Sequence, residues 1–255
     1  MLSLTMNAAM AVGYKSPSQV ARIVTESWGS EHLYCSSCES PRVEQTPANS
    51  QAIDFRCAKC SATYQLKASQ RWNERVPDAG YEAMMRALKS DSVPNLLVMQ
   101  YTDKWLVRNL LLVPSFFFSA AAVEKRKPLG SNARRAGWVG CNILLSNIAS
   151  VGKIRLVSNG DIVSPNTVRA NYERVKPFAN VRADVRGWTL DVLRIIQRLG
   201  SPVFDLSTVY SFEDELAAIY PNNRNVRPKI RQQLQVLRDL NFVEFHGNGI
   251  YRLHE

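Results

Sequence analysis

Residues 52–67 run Ala52-Ile53-Asp54-Phe55-Arg56-Cys57-Ala58-Lys59-Cys60-Ser61-Ala62-Thr63-Tyr64-Gln65-Leu66-Lys67. Ala52–Cys57 and Ala62–Lys67 alternate as two short strands of one hairpin. A Cys-x-x-Cys turn lies between them, and a second stands upstream at Cys35-Ser36-Ser37-Cys38. Two such pairs offer four thiolates that can close tetrahedrally on one Zn2+ at about 2.3 Å. Four unrelated buried thiols, or a redox pair, would not account for the spacing occurring twice. With Cys35, Cys38, Cys57 and Cys60 as ligands the ion has no open position, so zinc here is expected to be structural, pinning a polar loop (Glu39–Gln51) to the hairpin. Cys141, the odd one, reads as a packed core residue.

Outward from this motif the pattern is mixed α/β. Ser16-Pro17 opens a capped amphipathic helix with Val20, Ile23, Val24 and Trp28 on its buried stripe. Gly80–Lys89 reads as a second helix. Leu96–Tyr101 and Trp105–Val113 form an apolar hairpin of central strands. Glu124–Trp138 is basic and loop-like. Gly152–Val163 is a hairpin turning at Asn159-Gly160, and residues 164–185 hold one helix and a linker. From Arg186 the chain becomes mostly helical. A helix capped by Thr189 ends at Gly200, a short strand spans Val203–Leu206, and a second helix spans Ser207–Tyr220. A third runs Val226–Leu240, followed by strands Phe242–Phe245 and Ile250–Leu253 around a Gly247-Asn248-Gly249 turn. That order is a winged helix-turn-helix, and the boundary falls near residue 184, giving domains 1–183 and 184–255.

The 32 basic and 22 acidic residues leave a net charge of +10 and a pI near 9.6, a field that attracts polyanions. No convincing secretory signal opens the sequence, and the most apolar stretch, Asn109–Val123, is broken by Pro114 and falls short of a span of roughly 18–20 residues. A soluble cytoplasmic protein without a membrane is expected, and a reducing compartment makes paired cysteines metal ligands before disulfides.

Asp54, Gln65 and Lys67 could bring an acid, an amide and an ammonium together on adjacent strands. Gln65 and Lys67 are two apart and share a face, and Asp54 on the partner strand would face them. Phosphodiester hydrolysis with Mg2+ needs oxygens converging on the metal and a cation that orients water. As a bare pattern the triad occurs constantly by chance, and a solvated strand face is its ordinary meaning.

Longer matches change that balance. Tyr14-Lys15-Ser16, Ala21-Arg22-Ile23, Tyr34-Cys35, Ala133–Asn142, Arg186-Gly187-Trp188-Thr189 and Lys229–Asp239 resemble the DpnI type of restriction endonuclease, in the same order over almost the whole chain. The resemblance implies an α/β PD-(D/E)XK nuclease domain with a zinc-binding insertion, followed by a C-terminal winged helix. It implies Mg2+-dependent cleavage of double-stranded DNA at GATC carrying N6-methyladenine. The motif's aspartate falls on Asp54, its lysine on Lys67 and its second acidic position on Gln65, which keeps a carbonyl oxygen for magnesium but lacks the negative charge. Glu26 on the first helix could supply a carboxylate, although an exposed helical Glu is its ordinary meaning.

An N6-methyl group projects into the major groove. Trp138 is the leading candidate to read it, against the alternative of a plain core tryptophan. Arg126, Arg134 and Arg135 could contact phosphates or guanine. In the third C-terminal helix Val226, Ile230, Leu234 and Leu237 make an apolar stripe. Asn225, Gln232 and Gln235 point away from it, flanked by Arg224, Lys229 and Arg231, a set suited to the major groove. A monomer in solution is expected. The competing readings are a non-catalytic reader of adenine-methylated DNA, kept open by Gln65, and a nuclease of different specificity.

Overall fold

The computed structural model describes residues 2–47 and 52–254. In chain order the helices are α1 Pro17–His32, α2 Tyr81–Lys89, α3 Pro165–Val175, α4 Ala183–Arg198, α5 Leu206–Tyr210, α6 Glu213–Ile219 and α7 Val226–Asp239. The strands are β1 Glu44–Gln45, β2 Phe55–Arg56, β3 Thr63–Ser69, β4 Arg75–Gly80, β5 Asn95–Tyr101, β6 Val107–Val113, β7 Val123–Lys125, β8 Gly140–Leu144, β9 Ile154–Ser158, β10 Asp161–Ile162, β11 Val203–Asp205, β12 Val243–Gly247 and β13 Ile250–Leu253. The fold is mixed α/β, with a sheet-rich N-terminal part and a C-terminal helix-turn-helix. Contacts gather the chain into two compact units. One takes the residues up to Val76, Val93–Ser115 and Val151–Lys176; the other takes Pro77–Ser92, Phe116–Ser150 and everything from Pro177 onward.

The first unit is built on a mixed sheet ordered β1-β2-β3-β5-β6-β9-β10, in which β3 and β5 are parallel and the other neighbours antiparallel. The apolar run Leu96–Met99 is fully buried in β5, as a central strand requires. Asn159 and Gly160 both take positive φ, 51° and 90°, at the β9–β10 turn, matching the Asn-Gly signal. Helix α1 starts with Pro17 at its first position, but Ser16 makes no side-chain cap; its hydroxyl meets that of Ser18 instead. Val24, Thr25, Trp28 and Gly29 form the buried face of α1.

The hairpin around the second cysteine pair is shorter on one side than the alternation implies. Only Phe55 and Arg56 are strand in β2, because Cys57–Cys60 is turned out of the ladder, with the Ser61 N–H donating to the Cys57 carbonyl at 2.9 Å. β3 starts one residue later and ends two residues later than expected, since its other edge is paired with β5 through Ser69. The polar loop expected over Glu39–Gln51 contains strand β1; its residues 48–51 lie outside the described residues.

In the second unit, α4 begins at Ala183, well before the expected cap. Thr189 lies inside the helix, where its hydroxyl donates to the Val185 carbonyl at 3.0 Å and to Gln233 Oε1 at 2.7 Å. The extra turns form because their side chains have tertiary partners. Buried Arg186 forks onto Asp91 and the Val181 carbonyl, and Trp188 stacks on Tyr220 with centroids 3.9 Å apart. The expected helix Ser207–Tyr220 is two helices, α5 and α6, parted at Ser211-Phe212; Asp205 caps the first by accepting from the Thr208 N–H at 2.9 Å. Helix α7 stands nearly as expected, with Val226, Ile230, Leu234 and Leu237 buried. The wing is a three-stranded sheet ordered β11-β13-β12.

Candidate functional site

Local folding builds the site from the cysteine motif. The four sulfurs of Cys35, Cys38, Cys57 and Cys60 lie within 4.8 Å of one another. Cys35 is 3.5 Å from Cys60 and Cys38 is 3.6 Å from Cys57, close to the edge of about 3.8 Å that tetrahedral Zn–S bonds of about 2.3 Å define. This four-cysteine cluster could bind zinc. Two side chains seat it. Tyr64 of β3 brings its hydroxyl to Cys35 Sγ at 3.2 Å and accepts from the Ser36 N–H at 3.2 Å. Arg169 of α3 donates to the carbonyls of Cys35 and Ser40 at 3.1 and 3.2 Å and lies over the Tyr34 ring. Cys141 is elsewhere, buried with its thiol toward the Ala79 carbonyl, as a core cysteine should be.

Tyr64 thus joins the cluster to the strand carrying Gln65 and Lys67. Phe55 pairs with Tyr64, so Asp54, one residue before β2, falls opposite Gln65 on the same face of the sheet. The Asp54 N–H donates to the Tyr64 carbonyl at 2.8 Å, and its carboxylate Oδ2 accepts from the Leu66 N–H at 2.7 Å. Gln65 is nearly fully buried and Lys67 half-buried. The hairpin register sets Asp54 opposite Gln65, with Lys67 two residues further along β3. The residue after Asp54 ties β2 to α1: Phe55 is fully buried, and its ring packs directly on the bare Cα of Gly29.

A cavity of about 860 Å³ opens beside Asp54, lined also by Arg22, Glu26, Gln45, Thr46 and Ile53. Glu26 is the residue whose ordinary reading as an exposed helical Glu fails. Its side chain is only 20 % exposed, with Arg22 Nε at 3.3 Å from Oε1 and Gln45 donating to Oε2 at 3.2 Å. Burial pushes its carboxyl above the usual range; Arg22 opposes this, and the charge of Asp54 adds to it. The available signal was its register on α1. Glu26 shares a helical face with Ile23 and Ser30, and Ser27 and Ser30 are too small to fill the space.

In the second unit Trp138 is half-buried, so it is not a plain core tryptophan. It lies between two glycines. A Cβ on Gly140 would stand 2.8 Å from its ring and one on Gly80 3.4 Å from its indole nitrogen. The Arg135 guanidinium covers the ring at 4.7 Å. Arg126, Arg134 and Arg135 are exposed.

On α7 and the turn before it, Arg224, Asn225, Arg231, Gln232 and Gln235 are exposed, as the wheel placed them. Lys229 is half-buried and donates to Gln232 Oε1 at 2.8 Å. Arg227 and Arg238 extend the exposed basic face, a pair that the sequence reading passed over although both lie on the same helix. Gln233 turns inward to Thr189 and is fully buried.

A sheet-rich domain with a four-cysteine cluster, joined in sequence to a winged helix-turn-helix, is the architecture of a DNA-binding protein. The sequence profile of the Dam-replacing family (DpnI) matches residues 2–181, and that of the Dam-replacing HTH domain (DpnI_C) matches residues 184–253. The chain belongs to the Dam-replacing (DpnI) family. Membership makes it a nuclease, supports methyl-dependent restriction and makes DNA its partner. No helix among the described residues is long and apolar enough to cross a membrane.

Proposed function

We propose that this chain is a type II, methyl-directed endonuclease that hydrolyses double-stranded DNA at GATC containing N6-methyladenine. Residues 1–183 form a PD-(D/E)XK catalytic domain and 184–255 a winged-helix DNA-binding domain. The observation that carries the reading is the Asp54 carboxylate fixed to the Leu66 N–H at 2.7 Å, across the hairpin from Gln65 and Lys67.

The donor set fits a hard dication in kind: a carboxylate from Asp54 and an amide carbonyl from Gln65, both oxygen ligands. When bound, Mg2+ polarises the scissile phosphate and makes water a better nucleophile. Lys67 donates to the attacking water, orienting it in line with the P–O bond that breaks, and offsets charge gathering on the phosphate oxygens. The attacking water gives its proton up to solvent as the O–P bond forms, and the leaving oxygen departs with a proton taken from solvent. Zn2+ on the four cysteines is structural: through Cys35 and Tyr64 it fixes the strand that presents Gln65 and Lys67.

Trp138 supplies the flat apolar surface that an N6-methyl group needs, and Arg126, Arg134 and Arg135 surround it with positive charge for phosphates or guanine. In the C-terminal domain α7 enters the major groove. Asn225, Gln232 and Gln235 are suited to adenine edges, and Arg224, Lys229 and Arg231 to guanine and the backbone. The protein acts as a monomer in the cytoplasm. Gln65 favours one other reading, a methyl-DNA reader without cleavage. Plasmids from adenine-methylating and non-methylating hosts, incubated with the protein and Mg2+ and run on a gel, separate the two. Fragmentation of the methylated plasmid alone is expected; intact but retarded methylated DNA would replace the nuclease with a reader.

A further inference from the structure

Ahead of α1 the chain turns apolar side chains to solvent at the edge of the site. Met10, Val12 and Tyr14 are 50 %, 82 % and 51 % exposed, and Met10 is part of the wall of the cavity that holds Asp54. Exposed apolar clusters add nothing to a core and ordinarily mark a surface that a partner covers. The segment is firmly held. Leu2, Met6 and Ala11 are buried. The Met6 N–H donates to the Trp105 carbonyl at 2.9 Å, the Val107 N–H to the Leu4 carbonyl at 2.8 Å, and the Trp28 indole N–H to the Ser3 carbonyl at 2.9 Å. Ala8–Ala11 form a single 3-10 turn, whose Ala9 N–H donates to Asn7 Oδ1 at 3.1 Å. Gly13 then turns the chain at a φ of 98°, with open space where a Cβ would stand.

We propose that this knuckle is an apolar wedge: Met10, with Val12 beside it, unstacks a base step of the duplex whose phosphate lies at Asp54. That placement rests on the nuclease reading above. The occupant is duplex DNA because DNA is the family's partner and because Met10 is continuous with the Asp54 cavity. A duplex held there by a phosphate lies against the knuckle. Charge agrees with this. The first 25 residues contain Lys15 and Arg22 and no acidic residue, so the segment carries nothing that repels a phosphate backbone. Apolar side chains presented in this way are the device by which proteins part stacked bases from the minor groove. An unbranched methionine suits the role, since its flexible thioether adapts to the gap it opens. Parting a step kinks the duplex and frees the neighbouring backbone from its regular path, beside the bond to be cut.

The test uses the full-length, zinc-loaded chain with Mg2+ withheld, and a duplex containing TTGATCAA with both GATC adenines methylated. Every base step of that sequence has a thymine on one strand, and permanganate oxidises thymines that have lost their stacking. In the retarded complex at least one thymine should react at least about fivefold faster than in free duplex, as an opened step requires. The double variant Met10→Ser, Val12→Ser should still bind the duplex but return that thymine to its free rate. Met10→Leu, which keeps an apolar side chain of similar volume, should leave it reactive. Both positions are exposed, and unchanged thermal melting of the variants establishes that the fold is kept. A complex in which no thymine gains reactivity overturns the wedge, while cutting of methylated plasmid on adding Mg2+ would leave the nuclease reading intact. Reactivity that survives in the double variant also overturns it, and loss of self-association by that variant in sedimentation would give the surface to a second copy of the chain. Reactive thymines without cleavage in Mg2+ would keep the wedge in a DNA reader and remove the nuclease.

Discussion

The Phe55 ring lies against Gly29 so closely that a Cβ there would come within 2.4 Å of its Cζ. The next residue back is Asp54, so this contact between helix and strand sets the height of a carboxylate. Gly29→Ala gains up to about 1 kcal/mol of helix propensity but overpacks a fully buried ring, costing about 1–3 kcal/mol. The expected outcome is a protein destabilised by about 1 kcal/mol in denaturant melts, with DNA cleavage reduced more than the melt explains. Asp54→Ala, which removes the carboxylate itself, should abolish cleavage while leaving DNA binding in gel shifts. Wild-type rates in Asp54→Ala would move the site elsewhere.

Zinc content and cleavage should fall together. Cys35→Ser removes both a ligand and the partner of the Tyr64 hydroxyl, so elemental analysis should find less than one zinc per chain and plasmid cleavage should be lost. Tyr64→Phe keeps all four sulfurs. It should retain zinc yet cleave more slowly, because β3 loses its tie to the knuckle. Full zinc in Cys35→Ser would contradict a four-sulfur site.

Discrimination should follow the indole. Trp138→Ala is expected to lower the ratio of rates on methylated and unmethylated plasmids about five- to thirtyfold, a change of about 1–2 kcal/mol in keeping with losing one base-edge contact. Gly140→Ala, which must push the ring aside by displacing it from a 2.8 Å approach, should act in the same direction. A Trp138→Ala enzyme that still cuts only methylated DNA would make the residue a packing element.

Asp191 of α4 is fully buried and accepts from the hydroxyls of Ser119 and Tyr220, at 2.8 and 2.6 Å. Burial outweighs these bonds and Arg194, and pushes its pKa up from 3.8 to about 6. Because the folded value is the higher one, the folded state holds the extra proton between the two. The associated stability is fully present below pH 3.8 and is lost as pH rises through about 6. The span corresponds to roughly 3 kcal/mol. Asp191→Asn should flatten that portion of the stability profile between about pH 4 and 6, measured by denaturant melts across the range. An unaltered profile would mean that Asp191 titrates near its ordinary value.

Where the sequence spoke through local chemistry, it was legible. The doubled Cys-x-x-Cys, the alternation of residues 62–67, the Asn159-Gly160 turn and the apolar stripe of α7 each have a spacing that dictates their geometry. Strand periodicity alone puts Gln65 and Lys67 on one face of β3, and the pairing of Phe55 with Tyr64 is what sets Asp54 opposite Gln65. What escaped depends on partners distant in sequence. Thr189 has the chemistry of a cap, but Arg186 and Trp188 find Asp91 and Tyr220 and carry the helix past it. Glu26 reads as a surface residue until β1 and the Asp54 turn fold against α1. Arg169 carries no local signal at all, since its importance to the cysteines is purely tertiary.

That arginine has a consequence in time. It stands 134 positions after the carbonyl of Cys35 that it holds. A ribosome delivering this chain from its amino end releases all four thiols, and the segment bearing Asp54 and Lys67, long before α3 emerges. The strand pairings that surround them, β5, β6 and β9 in turn, likewise arrive later, and such long-range closures are slow to form. A nascent fragment thus holds the four cysteines and the proposed catalytic residues but lacks the arginine that seats the cysteine loop. On the proposed nuclease reading, competence to cut therefore waits for α3.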